Sequence, residues 1–297
     1  MQNKIYQIFT HKDLDGAGSL LSFIWSHPND TITFTEVANN EIVKIKDYIK
    51  KTFNPPNILI FDISLKDEFL PDLDNSNITL IDHHKRSEAN ISKFKHLKIL
   101  YKDFSSNTLL IRKLFKNKEN DTLDDKKKKF IALVDDFDSQ KNNFPDSYDL
   151  NIIFWTQFKN KFADFVNYYK DGFAPFTDKQ LKLIQYTKKL SEDALKNVKY
   201  FSGELILEGF PRKTLGCLTN NLNPLVINQI VNKNNADIFL FINTETQVVS
   251  IRQKNSSSMI DLPNFAKKYC EGDGNSLTCR GKITPLLLEL TKNLNTL

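Results

Sequence analysis

The chain has 297 residues, of which 40% are apolar and 11% aromatic, enough to fill the cores of two domains of ordinary size. Its formal charge of +5 is a small excess of 41 basic over 36 acidic residues, which excludes neither a nucleotide nor a neutral substrate. No apolar run approaches the roughly 20 residues that a membrane helix needs, and no export signal precedes the first strand. We therefore expect a cytoplasmic protein. Three irregularly spaced cysteines favour free thiols over a disulfide framework or a CxxC zinc site.

Short apolar runs alternate with segments of helical periodicity from residue 4 to residue 116, the pattern of an open, mainly parallel sheet with flanking helices. The predicted strands cover residues 4–10, 31–37, 57–62, 78–81 and 97–101. The predicted helices cover residues 17–25, 41–51 and 108–116. Such α/β sheets bind ligands beyond the carboxyl ends of their strands, so the polar residues that follow these strands are candidates for a site.

Long helices without strands are predicted from residue 123 to residue 199, and strands return after Phe201. Two further helical stretches lie near residues 222–232 and 260–269. We therefore predict three parts: an α/β domain over 1–145, a helical bridge over 146–199 and a smaller α/β domain over 200–297.

The predicted bridge is rich in aromatic residues at helical spacing. Trp155 and Tyr168 are among them. A base-stacking surface is one interpretation, but we favour a buried helix face, because this spacing is typical of core packing.

Four segments supply residue types that bind metals. In chain order they are His11-Lys12-Asp13-Leu14-Asp15-Gly16, then Asp62, then Asp82-His83-His84, then Asp135-Asp136-Phe137-Asp138. Each has a plainer interpretation when taken alone: Asp-x-Asp-Gly is a common turn and helix cap, and an aspartate after a strand often caps the next helix.

Together, the four segments would bring several carboxylates to one edge of one sheet. Five of these acids are Asp13, Asp15, Asp62, Asp82 and Asp138. Carboxylates crowded into a partly desolvated pocket repel one another and cannot all stay ionised without cations. Mixed carboxylate and imidazole ligands favour Mn²⁺, with Mg²⁺ or Co²⁺ as alternatives, whereas structural zinc normally uses thiolates.

The order His-Lys-Asp-x-Asp-Gly, Asp, Asp-His-His, Asp resembles the DHH phosphoesterase superfamily, and HKDLDG, FDIS, IDHHK and VDDFDS resemble its short-oligoribonuclease (nanoRNase) branch. The resemblance extends over nearly the whole chain and implies two divalent cations. The implied ligands are His11 and Asp13 for one cation, Asp15 for the other, Asp62 for both, and His83 and Asp138 as further ligands. It also implies that His84 contacts the substrate phosphate and that Asp82 supports the histidines, although Asp136 could be confused with Asp138.

In the C-terminal part, the resemblance implies a substrate domain with an arginine-bearing strand and a glycine-rich GGGH loop. The matching positions here are Arg252, Gly272, Gly274 and Asn275. Since the loop reads Gly-Asp-Gly-Asn-Ser, the imidazole of the family pattern is absent and the domain is expected to be a degenerate version.

The resemblance implies a metal-dependent phosphodiesterase that releases mononucleotides from short RNA or DNA, with two cations lowering the pKa of a shared water. The alternative is a phosphatase or phosphodiesterase acting on a small nucleotide such as pAp or a cyclic nucleotide. A third hypothesis, suggested by the altered loop, is a catalytically silent nucleotide-binding module. The expected partners are short single-stranded nucleic acid or a nucleotide, no membrane, and a second copy of the chain in a homodimer.

Overall fold

The computed structural model describes residues 3–38, 41–52, 56–65, 69–74, 77–116, 123–141, 143–196, 198–207, 209–218, 224–253, 260–274, 278–292 and 294–296. The chain divides into two compact units, Met1–Ile184 and Gln185–Leu297. Among the helices of the described ranges, none combines the length and apolar character needed to cross a membrane.

The first unit contains a parallel sheet. Its strands are β1 (Ile5–His11), β2 (Thr31–Val37), β3 (Asn57–Phe61), β4 (Ile78–Asp82) and β5 (Lys98–Tyr101), in the order β2-β1-β3-β4-β5. The chain leaves β1 for β2 on one side and then returns to the other side of β1 to form β3. The carboxyl ends of β1 and β3 therefore form a topological switch point, where open α/β sheets bind their ligands.

Helices cover both faces of this sheet. In chain order, the helices from residue 14 to residue 196 are α1 (Leu14–Ser26), α2 (Val43–Lys51), α3 (Leu70–Leu73), α4 (Lys85–Asn90) with a 3-10 helix (Ile91–Lys93), α5 (Asn107–Leu114), α6 (Asp125–Asp138), α7 (Pro145–Thr156), α8 (Phe162–Tyr168) and α9 (Asp178–Lys196), the last of which crosses the boundary between the two units. Neighbouring residues of a strand face opposite layers, so Ile8 of β1 belongs to one apolar cluster and Phe9 to another. Because both faces of this sheet are buried, the strands appear in the sequence as continuous apolar runs rather than as alternating apolar and polar residues.

Side-chain caps determine where two helices of this unit begin. Asp13 Oδ1 accepts a hydrogen bond from the Gly16 N–H at 2.8 Å and starts α1. Ser106 Oγ accepts from the Leu109 N–H at 3.2 Å and starts α5. Because each cap ends the preceding loop at a defined residue, the loops after β1 and β5 are short and closely held.

The second unit contains a mixed sheet. Its strands are β6 (Lys199–Leu207), β7 (Phe210–Leu218), β8 (Ile238–Asn243), β9 (Val248–Gln253), β10 (Asp273–Gly274), β11 (Thr278–Lys282) and β12 (Asn295–Thr296), in the order β10-β11-β9-β8-β7-β6-β12. Its helices are α10 (Pro224–Lys233), α11 (Leu262–Cys270) and α12 (Pro285–Thr291). Leu240 of β8 packs in the cluster that includes residues of α11 and α12, and Phe239 packs in the cluster that includes residues of α10.

The predicted fold class is confirmed: a parallel α/β sheet with flanking helices, a helical stretch, and a second, smaller α/β unit. The short elements α3, α4, α12, β10, β11 and β12 were not predicted, because elements of two to seven residues hold too few positions for a periodic pattern. The boundary between the units falls inside α9, between Ile184 and Gln185. The division into 1–145, 146–199 and 200–297 stays a prediction.

The seven aromatic residues between positions 154 and 169 divide into two groups. Five are buried: Phe154, Phe158, Phe162, Phe165 and Tyr169. The core prediction is wrong for the other two, since Trp155 is 45% exposed and Tyr168 is 43% exposed. Each lies next to a buried ring in the chain, and neighbouring residues of a helix point about 100° apart, which places these two outside the buried stripe.

Candidate metal centre

Three groups of imidazole and carboxylate ligands meet at the carboxyl ends of β1, β3 and β4, and the ligand atoms within each group lie within 4.8 Å of one another. The first trio is His11, Asp13 and Asp62; the second trio is Asp15, His83 and Asp138; the third group is Asp62, His83 and His84. All six side chains predicted as metal ligands belong to the first two trios.

Asp62 belongs to the first trio, lies beside the second, and is only 3% exposed. Its Oδ2 is 3.8 Å from His11 Nδ1, and its Oδ1 is 3.4 Å from His83 Nε2. Among the described residues, Asp62 Oδ1 has no hydrogen-bond partner. Buried carboxylate oxygens are normally paired, so an oxygen left over at this position fits a bound cation.

Asp62 follows β3 directly and has an unusual backbone conformation. Its φ of 59° lies in the left-handed region, which aspartate and asparagine tolerate better than most residues. Its N–H donates to the Ile81 carbonyl at 3.1 Å. With the Asn107 amide oriented so that both of its ends are satisfied, the same N–H also lies 3.2 Å from the Asn107 oxygen. Asp62 thus has a left-handed backbone conformation, which is sparsely populated in proteins and is found often at functional sites.

The loop from His11 to Gly16 combines a helix cap with a ligand pair. While Asp13 Oδ1 caps α1, Asp13 Oδ2 lies 2.5 Å from His11 Nδ1. A Cβ on Gly16 would stand 2.0 Å from the His11 carbonyl oxygen, so only glycine permits this tight approach. The cap interpretation of this motif is confirmed, whereas the ligand interpretation stays a prediction with which this geometry is compatible.

Asp15 is held by the start of α5. Its Oδ2 accepts from the Asn107 N–H at 2.7 Å and its Oδ1 from the Thr108 N–H at 2.9 Å. These are two of the donors that a helix leaves unpaired at its N-terminus. Since Asp15 Oδ2 is also 3.6 Å from His83 Nε2, the helix fixes this carboxylate facing the second trio.

His83 Nε2 faces three carboxylates. The Nδ1 atom lies 3.1 Å from the Phe104 carbonyl oxygen, which can only accept, so Nδ1 carries a proton and Nε2 is the atom left to bind a proton or a cation. Nε2 is 3.4 to 3.7 Å from oxygens of Asp15, Asp62 and Asp138. This contact is repulsive unless a proton or a cation lies between, and a backbone carbonyl behind the ring is typical of metal-binding histidines.

His84 and Asp82 form a separate pair beside the trios. Asp82 is fully buried and accepts from His84 Nδ1 at 2.7 Å and from Ser87 Oγ at 2.5 Å. Burial lowers the pKa of His84, but the charge and hydrogen bond of Asp82 outweigh it and raise that pKa to about 9. The His84 side chain is 40% exposed. In the ion-free protein it is therefore a positioned cation that can bind an anion at neutral pH.

Asp138 and Asp136 are distinguished by their contacts. Asp138 Oδ2 faces His83 in the second trio. Asp136 instead accepts from the N–H groups of Asn143 and Phe144, at 2.8 and 3.2 Å, and from Ser147 Oγ at 2.7 Å. Asp136 is thus bonded to the start of α7, and Asp138 alone of these two faces the predicted ligands.

The segment after β5 was missed as part of the site. It supplies the Phe104 carbonyl and the N–H groups of Asn107 and Thr108. Ser106 also donates to Asp135 Oδ1 at 2.8 Å, which ties the segment to α6. The serine before an apolar helix signals only a helix start, because most of the site contacts of this segment come from its backbone.

Three of the four carboxylates in the two trios have raised pKa values. Burial, followed by the charge of Asp15, raises the pKa of Asp62 and that of Asp138 well above the usual value. Burial raises the pKa of Asp15 as well. These residues fit divalent cations: buried oxygens, an imidazole lone pair and several negative charges meet in one place. Mn²⁺ and Mg²⁺ both suit such a donor set.

The predicted substrate residues lie in the second unit. Arg252 is on β9 and pairs in register with Phe239 and Thr278, and burial lowers the pKa of its guanidinium. Gly274 is in β10, and Asn275 lies outside the described residues.

Gly272 follows α11 and is packed tightly. Its N–H donates to the Ala266 carbonyl at 3.0 Å, and an added Cβ would stand 2.3 Å from the Arg280 carbonyl oxygen. The amide is thus occupied in capping α11. The assignment of Arg252, Gly272, Gly274 and Asn275 to substrate binding stays a prediction.

No protein-family model and no curated protein sequence matches the chain, but solved structures share its fold. RecJ from Thermus thermophilus in complex with Mn²⁺ matches with a TM-score of 0.64 and 10% identity over 98% of this chain and 51% of RecJ. The DHH domain of a member of the s1p family of ribosomal proteins matches with a TM-score of 0.61 and 12% identity, over 97% and 86% of the two chains. The pGpG-specific phosphodiesterase PggH from Vibrio cholerae matches with a TM-score of 0.55 and 13% identity, over 97% and 96%. The chain therefore has the fold of these proteins and spans about half the length of RecJ.

Proposed function

We propose that this chain is a divalent-metal-dependent phosphodiesterase that hydrolyses short oligonucleotides to mononucleotides. The observation that carries the proposal is the position of Asp62, whose two carboxylate oxygens face two separate groups of histidine and aspartate ligands. A carboxylate that bridges two ligand groups is the arrangement that a two-metal hydrolase needs.

In the proposed centre, the first trio would hold one cation and the second trio the other, with Asp62 as a ligand of both. Bound there, the cations would neutralise phosphoryl oxygens and lower the pKa of a coordinated water. We propose Mn²⁺ as the physiological ion, with Mg²⁺ or Co²⁺ as alternatives. Support comes from the donor set and from RecJ, whose structure contains Mn²⁺.

The remaining groups bind and orient the substrate. His84 is held by Asp82 and is positively charged in the ion-free protein. If it keeps that proton beside the bound cations, it would donate a hydrogen bond to a non-bridging phosphate oxygen. We assign Arg252 and the loop of Gly272, Gly274 and Asn275 to the terminal phosphate or base of the substrate.

The structural similarity to PggH favours short substrates over long polymers. PggH, which matches 97% of this chain and 96% of its own length, is specific for the dinucleotide pGpG. The same comparison favours the second candidate, a phosphatase or phosphodiesterase specific for one small nucleotide such as pAp or a cyclic nucleotide. Against a silent nucleotide-binding module stands the assembly of six ligand residues, whose repulsion would be costly to retain without cations.

We further propose a cytoplasmic location, which the three buried free cysteines support, because reducing compartments keep thiols unpaired. A homodimer remains a prediction.

The deciding experiment is hydrolysis by protein first stripped with EDTA and then reloaded with Mn²⁺. The substrates are labelled RNA and DNA of two to five nucleotides, pGpG, pAp and cyclic nucleotides. Stepwise release of mononucleotides from the oligomers supports the first function, and turnover of one small nucleotide alone supports the second. Absence of both turnover and Mn²⁺ binding would reject the enzyme.

A pair of histidine variants controls this experiment. His83→Ala should abolish turnover, whereas His96→Ala removes an exposed histidine outside the trios and should leave it unchanged. Full activity of His83→Ala would contradict the assignment.

A further inference from the structure

The C-terminal end of α7 presents an exposed tryptophan. Trp155 is 45% exposed, and its one ring contact within the described residues is edge-on to Phe154, with centroids 5.0 Å apart. Its indole N–H makes no hydrogen bond in the same part of the chain. A tryptophan side chain is normally mostly buried. An indole exposed to this extent is typical of surfaces that bind a ligand or a partner.

Two lysines, Lys12 and Lys159, lie beside this indole. Lys12, Trp155, Lys159 and Asn160 line one shallow cleft. Lys12 Nζ donates to Asn160 Oδ1 at 3.5 Å, and neither Lys12 nor Lys159 forms an ion pair with the described acids. Since the cleft encloses only about 10 Å³, roughly the space for a single water molecule, a ligand would lie on the indole rather than enter the cleft.

Lys12 joins this surface to the metal centre. It stands in the chain between His11 and Asp13, which belong to the first trio, and its side chain extends to Asn160 beside Trp155. A phosphodiester bound at the first trio would therefore have its neighbouring nucleotide within reach of the indole. Proteins that bind single-stranded nucleic acid usually combine basic side chains, which contact the phosphates, with aromatic side chains, on which the bases stack.

We propose that Trp155 is a base-stacking platform for the nucleotide next to the hydrolysed phosphodiester, with Lys12 and Lys159 contacting that nucleotide's phosphate. The identity of the ligand rests on the proposed function. The platform selects a substrate class: chains of at least two nucleotides gain from it, whereas pyrophosphate and other phosphates without a base do not.

The first test measures binding without turnover. The chain has two tryptophans, so the Trp25→Phe variant leaves Trp155 as the only indole reporter. This variant is titrated with a phosphorothioate-linked triadenylate, which resists hydrolysis, and with an abasic trimer of the same charge, both in Mg²⁺ buffer. We expect saturable quenching by the triadenylate and about fivefold or greater weakening for the abasic trimer. Equal response to both trimers, or no response to either, overturns the platform.

The second test separates stacking from catalysis. Trp155→Ala should raise KM for triadenylate by about 5- to 150-fold, the range for loss of one base–aromatic stack, and should leave hydrolysis of methyl p-nitrophenyl phosphate unchanged. Tyr186→Ala, which removes a tyrosine that is 61% exposed, serves as the control and should change neither substrate. Equal losses on both substrates for Trp155→Ala, or no loss on triadenylate, would overturn the platform.

The two proposals fail in different ways. Base-dependent quenching of Trp155 without hydrolysis of any phosphodiester would leave the platform standing and reject the proposed enzyme. Hydrolysis of triadenylate without base-dependent quenching would reject the platform and leave the enzyme standing.

Discussion

The Asn107 N–H donates to Asp15 Oδ2 at 2.7 Å, so the first residue of α5 orients a carboxylate of α1. The neighbouring Thr108 N–H binds the other oxygen of Asp15 at 2.9 Å. Asp62, by contrast, has one buried oxygen without a hydrogen-bond partner in the described ranges. The same residue type thus occupies two different environments: one carboxylate is held by backbone N–H groups, and the other has an oxygen that fits a cation.

The first prediction concerns Asp15→Asn. The amide places an NH₂ group against one of the two backbone N–H donors of α5 and leaves that donor unpaired. We expect the ion-free protein to lose about 1–2 kcal/mol of unfolding free energy, as when a helix cap is removed. Urea unfolding in EDTA measures this change, and an unchanged midpoint would show that α5 does not depend on the carboxylate.

The second prediction concerns Asp62→Asn, which keeps a residue type that tolerates the φ of 59°. Turnover should fall by more than about a hundredfold, because even residues outside the ligand shell cost about 10- to 100-fold. In EDTA the variant should be as stable as the natural chain, or more stable by about 1 kcal/mol, since it removes a poorly solvated charge. A large loss of stability in EDTA would contradict this account of Asp62.

The third prediction concerns pH and Mn²⁺. Burial lowers the pKa of His11, but the charge and hydrogen bond of Asp13 raise it to about 9. This pair therefore stabilises the ion-free fold fully below about pH 6.5, the unfolded value, and that stabilisation is lost as pH rises through about 9. The pKa values of Asp62 and Asp138 are raised as well, so Mn²⁺ must displace protons.

Mn²⁺ affinity should therefore increase from pH 6 to pH 9, with release of protons on binding. Titration calorimetry in two buffers of different ionisation enthalpy counts the released protons. Equal affinity across this range, with no proton release, would mean that Mn²⁺ does not bind at the trios.

The sequence predicts for a simple reason that most of the candidate ligands lie close together. Apolar runs predict parallel strands, and the carboxyl ends of parallel strands meet at one edge, which brings Asp62 and His83 to the same place. Asp136 and Asp138 could not be separated in this way, because both lie in one helical turn and only their contacts distinguish them. The exposure of Trp155 could not be predicted either, because the spacing of aromatic residues along a helix does not show which ring other parts of the fold cover.

The fourth prediction concerns Tyr169→Phe. Tyr169 is 1% exposed, and its hydroxyl has no hydrogen-bond partner among the described residues. Burial of the phenol raises its pKa. Because removal of an unpaired buried hydroxyl relieves a desolvation cost, we expect a gain of up to about 1 kcal/mol in unfolding free energy by calorimetry. Tyr168→Phe, at a side chain that is 43% exposed, is the matched control and should change nothing; a loss of stability only in Tyr169→Phe would reveal a partner for the hydroxyl.

The last prediction separates two aspartates that lie within one helical turn. Asp136→Ala removes three hydrogen bonds to residues 143, 144 and 147 and should cost about 1–3 kcal/mol of unfolding free energy, with Mn²⁺ affinity of the folded protein unchanged. Asp138→Ala should do the reverse. It removes a carboxylate whose pKa is raised by burial and by Asp15, so Mn²⁺ should bind at least about tenfold more weakly, while stability in EDTA is kept or increased. Paired urea unfolding and calorimetric titration of both variants measure the two quantities independently. If Asp136→Ala weakened Mn²⁺ binding and Asp138→Ala did not, the ligand assignment in this motif would have to be exchanged.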